Sequence, residues 1–236
     1  MGETWAGRGW SLHHDQHGLV LTTARGTEAF RGYDVHQLTV RRGLLGHSLV
    51  VEGRPDLQLP GLPRRAAVEV RSAIQTQLAL ALIRPMLASA TQWWHAFEAA
   101  LAERAAAHQW ISQEEAASLV AGHLGSGAVL GRLTPDEVRL VMPALTSDDI
   151  AVLTRIDQNP WQAIHQVNAQ VTAHTRQTWS TFLSSVERSP LTEEQIDVVL
   201  SPESRIRVIA AAGSGKTSVL VARTAYTLAR GQVPAN

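Results

Sequence analysis

The run Arg205-Ile206-Arg207-Val208-Ile209-Ala210-Ala211-Ala212-Gly213-Ser214-Gly215-Lys216-Thr217, continued by Ser218-Val219-Leu220-Val221-Ala222-Arg223-Thr224-Ala225-Tyr226, decides how this chain is read. An alternating and then wholly apolar segment enters a glycine-rich turn, and helical spacing leaves it. The expected order is strand, phosphate loop, helix. Gly213 and Gly215 let backbone N–H groups turn inward around an anion with no Cβ in the way, and the helix that follows adds its first-turn N–H groups. Lys216 is placed to reach the β- and γ-phosphates of a nucleoside triphosphate, and the Thr217 hydroxyl to ligate magnesium. The expected cradle therefore comprises Ala210, Ala211, Ala212, Gly213, Ser214, Gly215, Lys216, Thr217 and Ser218. Lys216 is the only lysine in the chain. A compact ammonium on a flexible stem has been kept where a phosphate would need it and replaced by arginine elsewhere.

Working outward, the 236 residues suffice for one large domain or two small ones. The formal net charge is zero, so any nucleic-acid contact must come from local arginine clusters. There is no cysteine, which excludes disulfides and thiolate metal sites. No apolar run is long enough to span a bilayer, and Met1-Gly2-Glu3-Thr4-Trp5 lacks the order of a secretion signal. Ala6 stands where a myristoylation signal needs Ser or Thr. A cytoplasmic protein is expected.

The fold class expected is α+β. Residues 1–62 read as a small antiparallel β-rich unit, a single curled sheet closed by a helix, with strands at Leu19–Thr22, Tyr33–Val40, Leu44–Val51 and Leu57–Leu59. His13 and His17 would share a face if their stretch were helical, yet no ligand partner is spaced for a closed metal site. Arg41, Arg42, Arg64, Arg65 and Arg71 are candidates for a DNA backbone, against the plainer reading of solvated turns and faces. Residues 63–189 read as helical. Arg64 to His108 forms one long kinked helix or two helices meeting at Pro85, with at least one of Trp93 and Trp94 facing the core, in core or interdomain packing rather than base stacking. Ser112 with Glu115, Thr134 with Glu137, and Thr146 with Asp149 announce short helices by their capping-box spacing. Asn159-Pro160 opens a helix expected to run about 28 residues, to Ser189. Residues 190–236 form the last unit, in which Thr192 and Gln195 have capping-box spacing ahead of the strand.

With these residues in view, Pro190-Leu191-Thr192-Glu193-Glu194-Gln195 followed by Ile209 to Thr217 resembles the opening of a superfamily 1 helicase of the UvrD/Rep-like kind. The likeness continues through His174 to Pro190 and Gly215 to Arg223, and faintly through Arg42 to Leu45 and Gln109 to Ser112. It implies the first strand, phosphate loop and helix of a RecA-like domain, with ATP and Mg2+ as cofactors. By the same resemblance Gln195 reads the adenine edge, Lys216 and Thr217 serve catalysis, and DNA is the partner of a monomeric motor that unwinds 3′ to 5′ in DNA maintenance. The family's pattern has Gly where this chain has Ala211, and the strict loop begins with Gly where Ala210 stands, a departure that several nucleotide-driven motors share.

Such motors also need an acidic magnesium motif and arginines around the γ-phosphate, which the 19 residues after Thr217 do not supply. The expectation is an N-terminal piece of a longer enzyme, without ATP turnover of its own. The competing account is a free-standing accessory or regulatory module with a vestigial loop. A complete small nucleotide-binding protein would need acids from elsewhere, and Asp148 and Asp149 stand in a helix-capping context instead.

Overall fold

The structure is a computed structural model that describes residues 3–15, 17–43, 46–54, 58–202, 206–209, 213 and 215–231. Seven strands come first: β1 (Glu3–Gly7), β2 (Trp10–Asp15), β3 (Gly18–Thr23), β4 (Gly26–Arg31), β5 (Leu38–Gly43), β6 (Gly46–Val51) and β7 (Gln58–Leu62). The helices follow: α1 (Arg64–Ala106), α2 (Gln113–Val120), α3 (Ser126–Leu130), α4 (Pro135–Val141), α5 (Ser147–Ile156), α6 (Pro160–Thr178), α7 (Ser180–Ser185), α8 (Glu193–Leu200) and α9 (Lys216–Ala229). An antiparallel β-rich region thus precedes long helices, and a helix-forming segment at the C-terminal end matches the start of a RecA-like domain. The chain divides into two compact units, residues 1–92 with 124–158 and residues 93–123 with 159–236.

In the first unit the strands form two antiparallel sheets, ordered β1-β2-β3-β4 and β5-β6-β7, where a single curled sheet is expected from sequence. Register places Trp5 opposite Leu12, Leu12 opposite Leu21, and Leu19 opposite Phe30, so the period-2 pattern gives each strand one buried face. Val35, Leu38, Leu49, Val51, Leu59 and Leu62 complete the core with Ala67, Val70, Ala73 and Ile74 of α1. Polar stitches fix the layers. The Trp5 indole N–H donates to Glu69 Oε2 at 3.0 Å, Trp10 donates to the Pro60 carbonyl at 3.0 Å, and Arg71 donates to the Val40 carbonyl at 3.1 Å.

The histidines find their place here, and two strand expectations change. His13 lies in β2 and His17 in the turn after it, not on a helix, and His13 and His14 point to opposite faces of the sheet. Residues 33–37 belong to a 3-10 turn (Gly32–Gln37) that delivers the chain into β5. Strands β1, β2 and β4 are additional, because their inward residues alternate with His, Ser, Thr and Glu that dilute the apolar signal. Leu44, Leu45 and Leu57, also read as strand residues, lie outside the described residues.

Pro85 does not end α1, which runs unbroken for 43 residues, about 65 Å at 1.5 Å per residue. Its buried stripe Val70, Ile74, Gln77, Leu80, Leu87, Trp94, Phe97 and Leu101 keeps helical spacing throughout, with Pro85 on the exposed side. Packing on one face outweighs the backbone hydrogen bond that proline forfeits. In the first unit the capping boxes of Thr134 with Glu137 and Thr146 with Asp149 are formed in full, and the Asp157 carboxylate accepts from Ser126 N–H and Oγ at 2.9 and 2.7 Å.

The second unit begins in α1. Trp94 is buried there, so at least one of the pair faces the core as the sequence suggests, and the half-buried Trp93 stacks on Phe97 with ring centroids 5.0 Å apart. Asn168 of α6 brackets the backbone of Ile111, accepting from its N–H and donating to its carbonyl, both at 2.9 Å. That pair ties α6 to the link before α2 and satisfies a buried amide. The long helix expected from Asn159 is divided: α6 stops at Thr178, Trp179 leaves helical geometry at φ −100° and ψ 11°, and α7 resumes. The Trp179 ring meets Tyr226 of α9 edge-on at 5.0 Å, a contact that gives the break a packing role.

Candidate functional site

The site is built on α8 and α9. Thr192 and Gln195 make a complete capping box: the Gln195 Oε1 accepts from the Thr192 N–H at 2.9 Å, and the Thr192 hydroxyl accepts from the Gln195 N–H at 3.4 Å. The cap orients the Gln195 amide as well as closing the helix. Glu194 lies beside it, its carboxyl held below the usual range by its own backbone N–H and the Thr192 hydroxyl.

Val219, Ala222 and Tyr226 of α9 bury one side of that helix against Leu183, Val199 and Leu200. Arg223 donates from Nη1 to the carbonyls of Val198 and Ser201 at 2.6 and 2.7 Å. A cation thereby closes the C-terminal end of α8, where partial negative charge gathers. On the other flank Arg176 of α6 pairs with both Glu193 and Asp197, and hydrogen bonding to Asp197 raises its already high pKa. Burial likewise pushes the Tyr226 phenol up. These contacts hold α8 and α9 in one arrangement, which fixes where the loop between them must close.

That closure is visible at Gly215. It is the N-cap of α9 at φ 81° and ψ 21°, a left-handed conformation that side chains resist, and its carbonyl accepts the first helical bond from Val219 N–H at 3.0 Å. A Cβ there would fall 2.6 Å from Gln195 Nε2. The glycine thus serves twice, for its backbone angle and for the space that the Gln195 amide occupies. Gly213 shares the left-handed geometry at φ 78°. Lys216 and Thr217 open α9 on its exposed side and Ser218 is half-buried. The first-turn N–H groups and the positive end of α9 lie here, with Lys216 as its first residue.

The structure therefore brings Gln195, Gly213, Gly215, Lys216, Thr217 and Ser218 to one locality. Ala210, Ala211, Ala212 and Ser214 lie outside the described residues. Ile206–Ile209, read as the entering strand, has no ladder partner among the described residues, and Ile209 is 84% exposed. A strand is defined by its neighbour, and among the described residues none lies beside it. Asp149 is spent on capping α5. Among the described residues no group of three or more His, Cys, Asp or Glu could hold a metal ion. The Thr217 hydroxyl fits magnesium only in the way that phosphate-borne magnesium is held, by one or two protein oxygens with phosphates and waters supplying the rest. None of the described helices is long and apolar enough to cross a membrane. Of the candidate DNA-facing arginines, Arg65 pairs with Glu69 and Arg71 with the Val40 carbonyl, while Arg42 and Arg64 line a concavity of about 470 Å³ with His47. The bracing roles of Arg176 and Arg223 are not legible in sequence, since nothing in their spacing marks them.

Residues 191–236 match the UvrD/REP helicase N-terminal domain. A stretch of 54 residues, 23% of this chain, is 50% identical to DNA helicase IV of Escherichia coli (strain K12) and covers 8% of that protein. No solved structure matches. The similarity is thus confined to the C-terminal part of the chain.

Proposed function

We propose that the segment from Pro190 onward binds ATP with Mg2+, as the opening of a motor that unwinds DNA 3′ to 5′ in DNA maintenance. The observation that carries this is the Gln195 amide seated against Gly215, directly before Lys216 at the start of α9. One site thereby gathers a group that can read a base edge and a group that can hold a triphosphate. In this reading Lys216 contacts the β- and γ-phosphates, the Thr217 hydroxyl ligates magnesium, and the backbone from Ala210 to Ser218 wraps the phosphate chain. Gln195 meets the adenine with its amide nitrogen, while Oε1, already accepting from Thr192, keeps a second lone pair. Residues 1–62 and 63–189 serve as an accessory region, with Arg42 and Arg64 offered to a DNA backbone.

Calorimetric titration of the chain with Mg-ATP tests the reading. Saturable binding is expected, weakened at least about tenfold by Lys216→Ala. Absence of binding, or binding indifferent to Lys216→Ala, overturns it. The second reading, an accessory module with a vestigial loop, draws on the exposed run Ile206–Ile209, which has no ladder partner among the described residues. It predicts DNA binding that Lys216→Ala leaves unchanged and no response to ATP.

A further inference from the structure

At the C-terminal end of α1 the chain makes a left-handed turn on a histidine. The Gln109 N–H donates to the Arg104 carbonyl at 2.9 Å and the His108 N–H to the Ala105 carbonyl at 3.2 Å, the paired bonds of a Schellman ending. The residue in the left-handed position of that motif is usually glycine. Here it is His108 at φ 50°, the only residue other than glycine with positive φ among the described residues. A strained backbone is retained where the side chain is wanted, and the imidazole shows what it is used for. It lies flat on His174 of α6, with ring centroids 3.6 Å apart and planes within 6°.

His108 lines a cavity of about 270 Å³ within the second unit, whose walls also include Arg104, Gln109, Thr175 and Arg230; His174 packs behind it through the ring stack. Among the described residues no carboxylate lines it, although Glu115 pairs with Arg104. Arg104 is held in place by Glu115 at 2.5 Å and by donating to Gln109 Oε1 at 2.6 Å, which leaves the Gln109 amide nitrogen as the donor end of that side chain. Arg230 arrives from the last turn of α9 and lies 5.5 Å from the centre of the Tyr226 ring. Two guanidinium groups, an imidazole and an amide donor around one small hollow concentrate positive potential and directional donors. Such a set is matched by an anion with several acceptor oxygens. The volume falls just below that of small-ligand pockets, which begin at about 300 Å³, so the occupant is one compact group.

We propose that this cavity is a second anion site, separate from the glycine-rich loop, that takes a phosphate group through Arg104, His108, Gln109 and Arg230. Because Arg230 and Lys216 stand at opposite ends of α9, its occupation is independent of the ATP reading and testable without it.

The test follows the ring C–H signals of His108 and His174 by NMR in the full chain carrying Lys216→Ala, titrated with inorganic phosphate at constant pH and ionic strength. Saturable shifts confined to these rings and their neighbours are expected. His108→Gly, which suits the left-handed turn and preserves the helix ending, should keep the melting temperature while weakening phosphate binding, read on His174, at least tenfold. Arg230→Ala should weaken it similarly. Shifts that do not saturate, that sodium chloride reproduces, or that persist with unchanged affinity in either variant overturn the proposal. Competition by a dT oligonucleotide carrying a 5′-phosphate, but not by its unphosphorylated form, assigns the group to a strand end. Competition by neither assigns it to a small molecule, and both results sustain the site.

Discussion

The two sides of the chain satisfy their apolar residues differently. In the first unit the inward faces of both sheets and of α1 cover one another, so Leu12, Leu19, Leu49 and Val70 are each fully buried. On α9 only one face is covered. Val219, Ala222 and Tyr226 are buried, while Leu220 is 66% and Val221 51% exposed, beside the exposed Ile206, Val208 and Ile209. Both stretches carry the hydrophobic pattern of a core element, and only the first finds its complement among the described residues. A pattern in sequence states what an element needs and not whether the need is met.

The contrast breaks most sharply on truncation. Phe30→Ala removes a ring that is 2% exposed and should cost about 3–5 kcal/mol, read by urea denaturation. Leu220→Ala, at 66% exposure, should stay within about 0.5 kcal/mol. A comparable loss at Leu220 would mean that its face is covered after all.

A smaller effect separates two glycines with nearly the same backbone. Gly9, between β1 and β2, has φ 76° and open space where a Cβ would go, whereas Gly215 has φ 81° and the Gln195 amide at 2.6 Å. Gly9→Ala should cost only the left-handed strain, about 1 kcal/mol. Gly215→Ala adds displacement of Gln195, so it should lose more stability and also weaken Mg-ATP binding at least about tenfold. Equal melting shifts with nucleotide binding intact would show that the contact between Gln195 and Gly215 does not matter.

These comparisons also show what the sequence could reveal. The order of apolar run, glycine turn and helix was plain at residues 206–229, as were the caps at Ser112, Thr134, Thr146 and Thr192, because both signals are local. The double sheet was not, since β1 and β2 place polar residues between Trp5, Trp10 and Leu12 and only pairing reveals the shared face. Nor was the break at Trp179, which meets a ring 47 positions away in the chain. Lys216 stands out in sequence because the phosphate-loop pattern has a fixed local spacing. Arg223, Arg176 and His108 owe their roles to partners that folding supplies.

The smallest expected effect concerns protons in the first unit. The Gln77 amide nitrogen donates to the Asp15 carbonyl at 3.3 Å, which fixes its orientation, and lies 2.9 Å from His14 Nε2. An amide nitrogen only donates, so His14 Nε2 accepts and the ring is neutral with its proton on Nδ1. Burial lowers the His14 pKa, against the opposing pull of Glu3 and Asp15. Because the folded pKa lies below the unfolded value of 6.5, the unfolded chain binds more protons between the two. Stability should therefore decline as pH falls below about 6.5 and level off once the folded ring is protonated. The ring is half-buried, so the change is modest, a fall in melting temperature of about 2 °C or less. His14→Gln should flatten the profile in that interval, and NMR titration of His14 should give a midpoint below 6.5. A midpoint above that value would mean that the carboxylates of Glu3 and Asp15 outweigh burial, and that the hydrogen bond from Gln77 is lost in the protonated fold.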